Sequence, residues 1–216
     1  MSLSGWRLPV AKEGAIFILP LIAITFILGS LQFRVMAGFF GLLTFFVIYF
    51  FRDPERPIPS GEKAVLSPAD GKVIKVGPCR EERFFQGPAI QISIFMSVFN
   101  VHVNRIPLTG RIVDCAYRPG KFFSANLDKA SSANEQNALL IETADGARLL
   151  FIQIAGLIAR RIVCRVKKGD RVERGRRFGM IRFGSRLDVY LPPSARIQAR
   201  LGEKVAGGQS ILGYLA

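Results

Sequence analysis

Two uncharged apolar runs lie almost back to back at the amino-terminal end of the chain, and they constrain everything that follows. Residues 14–33 form 20 consecutive uncharged positions, Arg34 interrupts, and residues 35–51 add 17 more. At about 1.5 Å rise per residue, helices of these lengths reach roughly 30 Å and 25 Å, against a hydrocarbon core about 30 Å thick. A helix on the surface of a soluble domain carries a polar stripe, and neither run has one. Residues 1–51 are therefore expected to form a membrane-anchoring helical hairpin with a tight turn near residues 30–34. A shallow re-entrant hairpin is the close alternative. A cleaved signal peptide fits less well, because its apolar core is usually only about 7–15 residues and no small-residue cleavage site follows.

Charge sets an expected orientation. Arg7 and Lys12 precede the runs, Arg52 and Arg56 follow them, and Arg34 stands alone in the turn. The positive-inside rule then puts both ends in the cytoplasm, at the inner membrane. Free cysteines fit a reducing compartment: there are three, Cys79, Cys115 and Cys164, too few and too dispersed for a disulfide framework. His102 is the single histidine, which excludes a multi-histidine metal site on this chain, and no metal is expected. The net charge of +14 is concentrated after the runs. Between positions 156 and 186 there are eleven basic and two acidic residues. Beside a membrane, such a surface is attracted to anionic headgroups by about 1 kcal/mol per basic residue. Nucleic acid is not expected as a partner, since no zinc finger or RNP-type motif accompanies the charge.

Residues 52–61 read as a linker, because three prolines in close succession forbid a regular element. Residues 62–216 then alternate short β-branched runs with Gly, Pro and Asp. Strands are expected over 72–76, 90–95, 111–116, 138–142, 148–154, 158–166, 178–182, 187–191 and 195–199, several with the period-2 pattern of half-buried strands. The polar stretch 124–137 reads as a loop or short helix. Gly169, Gly175 and Gly179 are expected at turns between short strands, a pattern similar to barrel-sandwich domains. The fold class is thus mainly β (α+β): a barrel-sandwich-like β domain behind a hydrophobic helical hairpin.

Three short segments carry the reactive side chains. In Arg182-Phe-Gly-Ser-Arg186, a glycine leaves the Gly184 carbonyl open to the neighbouring Ser185 hydroxyl. Asp70-Gly71 is more often a structural turn than a catalytic carboxylate. His102, between Val101 and Val103, is expected to point to the face opposite those two valines.

Taken in order, Ser67-Pro-Ala-Asp-Gly71, Phe99-Asn-Val-His-Val-Asn-Arg105, Tyr117-Arg-Pro-Gly-Lys-Phe-Phe123, Asn126-Leu-Asp-Lys-Ala-Ser131, Ala155-Gly-Leu-Ile-Ala-Arg-Arg161 and Phe178-Gly-Met-Ile-Arg-Phe-Gly-Ser185 resemble the phosphatidylserine decarboxylase family in its short bacterial form. The resemblance implies a self-processing enzyme, a carboxy-lyase made as a zymogen. Ser185 would attack the Gly184 carbonyl and cleave the chain into a β chain, 1–184, and an α chain, 185–216. The new amino terminus would become a pyruvoyl group derived from Ser185, which withdraws electrons from a bound amine so that carbon dioxide can leave. His102, oriented by Asp70, is implied as the base that activates Ser185. The implied substrate is the anionic phospholipid phosphatidylserine, converted to phosphatidylethanolamine. Lys121, Arg160 and Arg161 are candidates for its phosphate. Longer members of the family carry a second histidine where this chain has Arg105, which cannot act as a base. Either His102 then serves both self-cleavage and decarboxylation, or Asp70 acts more directly on Ser185. Two other readings stay open: a decarboxylase of a related serine-headed lipid such as archaetidylserine, and a non-enzymatic, membrane-tethered β domain that binds anionic lipid. A homo-oligomer is compatible with either.

Overall fold

The computed structural model describes residues 9–121, 133–156, 161–182 and 184–216. The chain divides into two compact units, Met1–Glu55 and Arg56–Ala216. In the first, a 3-10 turn (Lys12–Gly14) runs into α1 (Ala15–Ser30), and α2 (Arg34–Phe50) follows. The reversal takes only three residues, and Gln32 adopts φ 62° within it. Both helices lack polar stripes, so the threonine hydroxyls bond inward. Thr25 Oγ1 donates to Leu21 O and Thr44 Oγ1 to Phe40 O, each at 2.7 Å. The two hydroxyls meet between the helices at 3.3 Å. Lys12–Ser30 is the one described helical segment long and apolar enough to cross a bilayer; its mean hydropathy is 2.0 and only 6% of it is buried. α2 is shorter. Ile16, Phe26, Val35, Phe39 and Leu42 are all largely exposed, a continuous apolar covering that soluble proteins rarely display.

In the second unit the described residues form fourteen strands: β1 (Ala64–Leu66), β2 (Gly71–Glu81), β3 (Gly87–Met96), β4 (Val103–Arg105), β5 (Gly110–Arg118), β6 (Gln136–Glu142), β7 (Arg148–Ala155), β8 (Ile162–Cys164), β9 (Arg171–Val172), β10 (Arg177–Ile181), β11 (Ser185–Leu191), β12 (Arg196–Ile197), β13 (Lys204–Val205) and β14 (Ile211–Tyr214). A curled eight-stranded antiparallel sheet has the order β13-β2-β3-β11-β7-β6-β5-β9, and two three-stranded sheets, β1-β14-β12 and β4-β10-β8, accompany it. The mainly β class expected from the sequence is what the chain adopts. The short strands β1, β4, β9, β13 and β14 were not legible, because two to four residues are too few for a periodicity.

The main core fills one face of the large sheet with Ile92, Ile94, Phe151, Leu187, Val189 and their neighbours. Phe178 of β10 meets Phe151 edge-on, with centroids 5.1 Å apart. β2 shows the expected alternation of burial, but β6, β7 and β11 are buried along nearly their whole length. Their second face holds Leu140, Leu150, Ile152 and Ile154, with Phe84 and Phe85 from the β2–β3 hairpin packed against them. Gly169 and Gly175 do sit at turns with positive φ, whereas Gly179 lies inside β10. A Cβ at Gly179 would stand 2.1 Å from Val163 O, so the close approach of β8 is what requires glycine there.

Candidate active site

The Gly184-Ser185 peptide lies at the entry to β11, a strand held on both sides. Ser185 pairs with Met96 of β3 and with Ala155 of β7. Gly184 has φ +68°, the left-handed region that residues with a Cβ rarely enter. No atom stands within 4 Å of where its Cβ would be, so conformation and not crowding calls for glycine. Ser185 is wholly buried, and its hydroxyl donates to Met96 Sδ at 3.3 Å.

His102 reaches the same peptide from the segment between β3 and β4. The Asn100 carboxamide accepts from the Ser97 N–H at 2.9 Å and from the Ser97 hydroxyl at 2.8 Å, closing a tight turn. This turn ends the extended run, so β4 begins only at Val103. Val101, His102 and Val103 are all buried, so burial alone does not distinguish the faces they occupy. Asn100 O lies 2.9 Å from His102 Nδ1. A carbonyl can only accept, so Nδ1 carries the hydrogen. At the other ring nitrogen, the Gly184 N–H donates to Nε2 at 3.4 Å. Both contacts select the same neutral tautomer, whose Nε2 accepts from the backbone N–H of Gly184, the residue before Ser185.

Asp70 does not orient His102 in this structure. Arg56 holds its carboxylate in a bidentate pair, with Nη2 to Oδ2 at 2.8 Å, and the Gly207 N–H donates to Oδ1 at 2.7 Å. A planar guanidinium matches a carboxylate with two parallel bonds, and this match outcompetes a single imidazole N–H. The structure therefore unites His102 with Gly184 and Ser185, and Asp70 with Arg56. Arg105, in the position of the second histidine of longer relatives, is buried and donates from Nη1 to Gly175 O at 3.1 Å.

Two of the three phosphate candidates, Lys121 and Arg161, are among the described residues. The Lys121 side chain is exposed, while its backbone bridges to Asn134, whose Nδ2 donates to Ala155 O at 2.7 Å. Arg161 is exposed, with its carbonyl accepting from the Arg182 N–H. Arg160 lies outside the described residues. Among the described residues, no group of three or more His, Cys, Asp or Glu side chains could hold a metal ion.

Several residues around the site escaped the sequence reading. Asn104 lies two positions past His102 and is wholly buried, as is Gln153 of β7; Asn137 of β6 is nearly so. Only Gln153 is a polar residue inside an apolar run, a signal that could have marked it; Asn104 and Asn137 have polar neighbours in the chain and carry no such mark. Behind β11, Arg186 and Asp188 form a buried pair, with Nε to Oδ1 at 2.6 Å and Nη2 to Oδ2 at 3.0 Å. Ser93 Oγ accepts from Arg186 Nη2 at 2.9 Å, and Gln91 Nε2 donates to Asp188 Oδ2 at 2.9 Å. Burial pushes the Cys115 and Cys164 thiols up from their ordinary range, so both stay protonated at neutral pH.

Comparison with known proteins identifies the family. The phosphatidylserine decarboxylase family profile matches residues 43–213. A protein of Geobacter metallireducens named phosphatidylserine decarboxylase proenzyme is 51% identical over 212 residues, covering 96% of this chain and 97% of its own. Its namesake in Geotalea uraniireducens is 51% identical over 207 residues with the same coverage. Another, from Syntrophus aciditrophicus, is 56% identical over 170 residues, covering 79% of this chain and 80% of its own. With a profile that spans most of the chain and relatives this similar end to end, the protein belongs to the phosphatidylserine decarboxylase family.

Proposed function

We propose that the chain is a proenzyme that cleaves itself between Gly184 and Ser185 and then decarboxylates phosphatidylserine to phosphatidylethanolamine. The observation that carries this reading is the meeting of three features at one peptide: a left-handed Gly184, a buried Ser185 at the head of β11, and the unprotonated Nε2 of His102. In the proposed cleavage, the Ser185 hydroxyl turns away from Met96 and gives its proton to His102 Nε2. Oγ adds to the Gly184 carbonyl carbon, the C–N bond breaks, and the Ser185 nitrogen takes up the proton. The resulting ester loses the Cα proton of residue 185 and releases the Gly184 carboxylate. Tautomerisation and hydrolysis, with loss of ammonia, leave a pyruvoyl group at residue 185.

That group supplies an electron sink for the α-carbon of a bound amino acid. The surroundings fit it: Met96, whose thioether stands 3.3 Å from Ser185 Oγ, would offer it a soft apolar neighbour. His102 Nε2, freed of its proton, would be the group in reach of Gly184 able to hold or return a proton during decarboxylation. Strand order keeps the two fragments together after cleavage. β11 stays between β3 and β7, β13 on β2, and β14 on β1, so every strand of residues 185–216 but β12 pairs with a strand of the larger fragment. The proposed site of action is the cytoplasmic face of the inner membrane, with α1 and its exposed apolar residues in the bilayer.

The test is a denaturing gel with intact mass measurement of the freshly made chain. Fragments of 184 and 32 residues are expected, the smaller one without a free amino terminus. Ser185→Ala is expected to stay whole and release no carbon dioxide from phosphatidylserine vesicles. Turnover by uncleaved protein would refute the reading. Archaetidylserine vesicles in parallel assign the lipid.

A further inference from the structure

Three buried carboxamides run in single file toward Ser185. Asn137 Nδ2 donates to Gln153 Oε1 at 3.2 Å, and Gln153 Nε2 donates to Asn104 Oδ1 at 2.9 Å. Asn104 Nδ2 then contacts Met96 Sδ at 3.8 Å, the sulfur that the Ser185 hydroxyl also approaches, at 3.3 Å. Every link has the same direction, N–H to the next acceptor. The amide dipoles therefore add, with the positive end of the series at the Met96 sulfur that Ser185 also approaches. Aligned hydrogen bonds polarise one another, and a water-free interior strengthens the effect.

The end of the file is unfinished. An Asn carboxamide has two N–H donors, and the described acceptor for Asn104 is a thioether, one of the weakest in proteins. A buried donor left so poorly matched costs stability that an apolar residue would not. Two donors, from Asn104 and Ser185, approach one sulfur, while among the described residues no side-chain or backbone oxygen accepts from either side chain. This balance changes when Ser185 loses its proton. Oγ then stops donating and becomes an anionic acceptor beside the positive end of the carboxamide series, and the flexible Met96 side chain can yield.

We infer that Asn104 stabilises the negative charge that develops on Ser185 Oγ during self-cleavage, and that Gln153 and Asn137 are positioning residues that hold and polarise it. This rests on the self-cleavage reading. In the step concerned, the proton passes from Oγ to His102 Nε2 as the bond from Oγ to the Gly184 carbon forms, and Asn104 donates a hydrogen bond without giving up a proton.

The experiment follows radiolabelled full-length chain, made by cell-free synthesis into lipid vesicles, on a denaturing gel over time. Wild-type cleavage sets the reference; an uncleaved wild type would sink the self-cleavage reading itself. Asn104→Leu keeps the volume and removes the donor. Its cleavage is expected to slow by roughly 10- to 10²-fold, the usual loss on removing one hydrogen bond to a charged group. Its resistance to protease should match that of Ser185→Ala. Hydroxylamine, which splits an accumulated ester, should not restore the fragments, because the block precedes the ester. Cleavage of folded Asn104→Leu at the wild-type rate, or rapid release of fragments by hydroxylamine, would overturn the inference. Should Asn104→Leu fail to fold, Asn137→Leu at the outer end carries the test: slower cleavage supports the inference, and an unchanged rate overturns it.

Discussion

The Arg186–Asp188 pair, one residue beyond the proposed scissile bond, offers a sharp test of how β11 is held. Both side chains are essentially without solvent contact, 1% and 0% exposed. Removing one partner of such a pair strands a charge, at a cost of about 3–5 kcal/mol, while replacing both by apolar residues is often neutral. In a Ser185→Ala background, which keeps the chain whole, Arg186→Met and Asp188→Val should each lose about that much, and the double variant should recover most of it. The two single variants must also differ with pH. In Arg186→Met the stranded carboxylate keeps Gln91 Nε2 as a donor and can neutralise itself by binding a proton. An ordinary carboxylate titrates near pH 3.9, so this uptake costs about 4 kcal/mol at pH 7, which caps the loss. The folded variant then holds a proton that the unfolded chain has released. Its stability therefore rises by about 1.4 kcal/mol for each pH unit lowered between 7 and 5. In Asp188→Val the stranded guanidinium keeps Ser93 Oγ and cannot release its charge, so acid brings no comparable recovery. Pulse proteolysis across urea concentrations, in detergent at pH 5 and 7, measures all four chains. Single losses below about 1 kcal/mol, additive losses in the double variant, or greater acid relief in Asp188→Val than in Arg186→Met would refute the reasoning.

Two further predictions concern the surroundings of the site. Arg56→Met leaves the Asp70 carboxylate with the Gly207 N–H alone and should cost about 3 kcal/mol by the same assay. Arg56→Lys should recover less than half of this, because an ammonium cannot make two parallel bonds to a carboxylate, and full recovery would contradict the bidentate account. Gly179→Ala drives a methyl group to within 2.1 Å of Val163 O and should detach β8 from β10, seen as faster amide exchange at residues 162–164 with the β3–β11 amides unchanged.

What the sequence by itself determined was whatever depends on local order. The two apolar runs set a helical pair, because uncharged residues without a polar stripe satisfy their backbone only within helices. The β-branched runs between glycines and prolines set a mainly β domain. The Gly-Ser step and the lone histidine marked the peptide proposed here to react, since these chemistries need few residues and no partner to be noticed. Tertiary structure alone decided which groups meet. The carboxylate of Asp70 goes to Arg56, 14 positions earlier in the chain, because a guanidinium fork fits it better than an imidazole. His102 gains its tautomer from Asn100 O and the Gly184 N–H, two contacts that depend on a turn and on a strand 82 residues away. The burial of both faces of β6, β7 and β11 hid Gln153, Asn137 and the Arg186–Asp188 pair from any alternation rule. A polar residue inside a sheet is stable only where its partner waits on a neighbouring strand, and strand order is not written in any one segment.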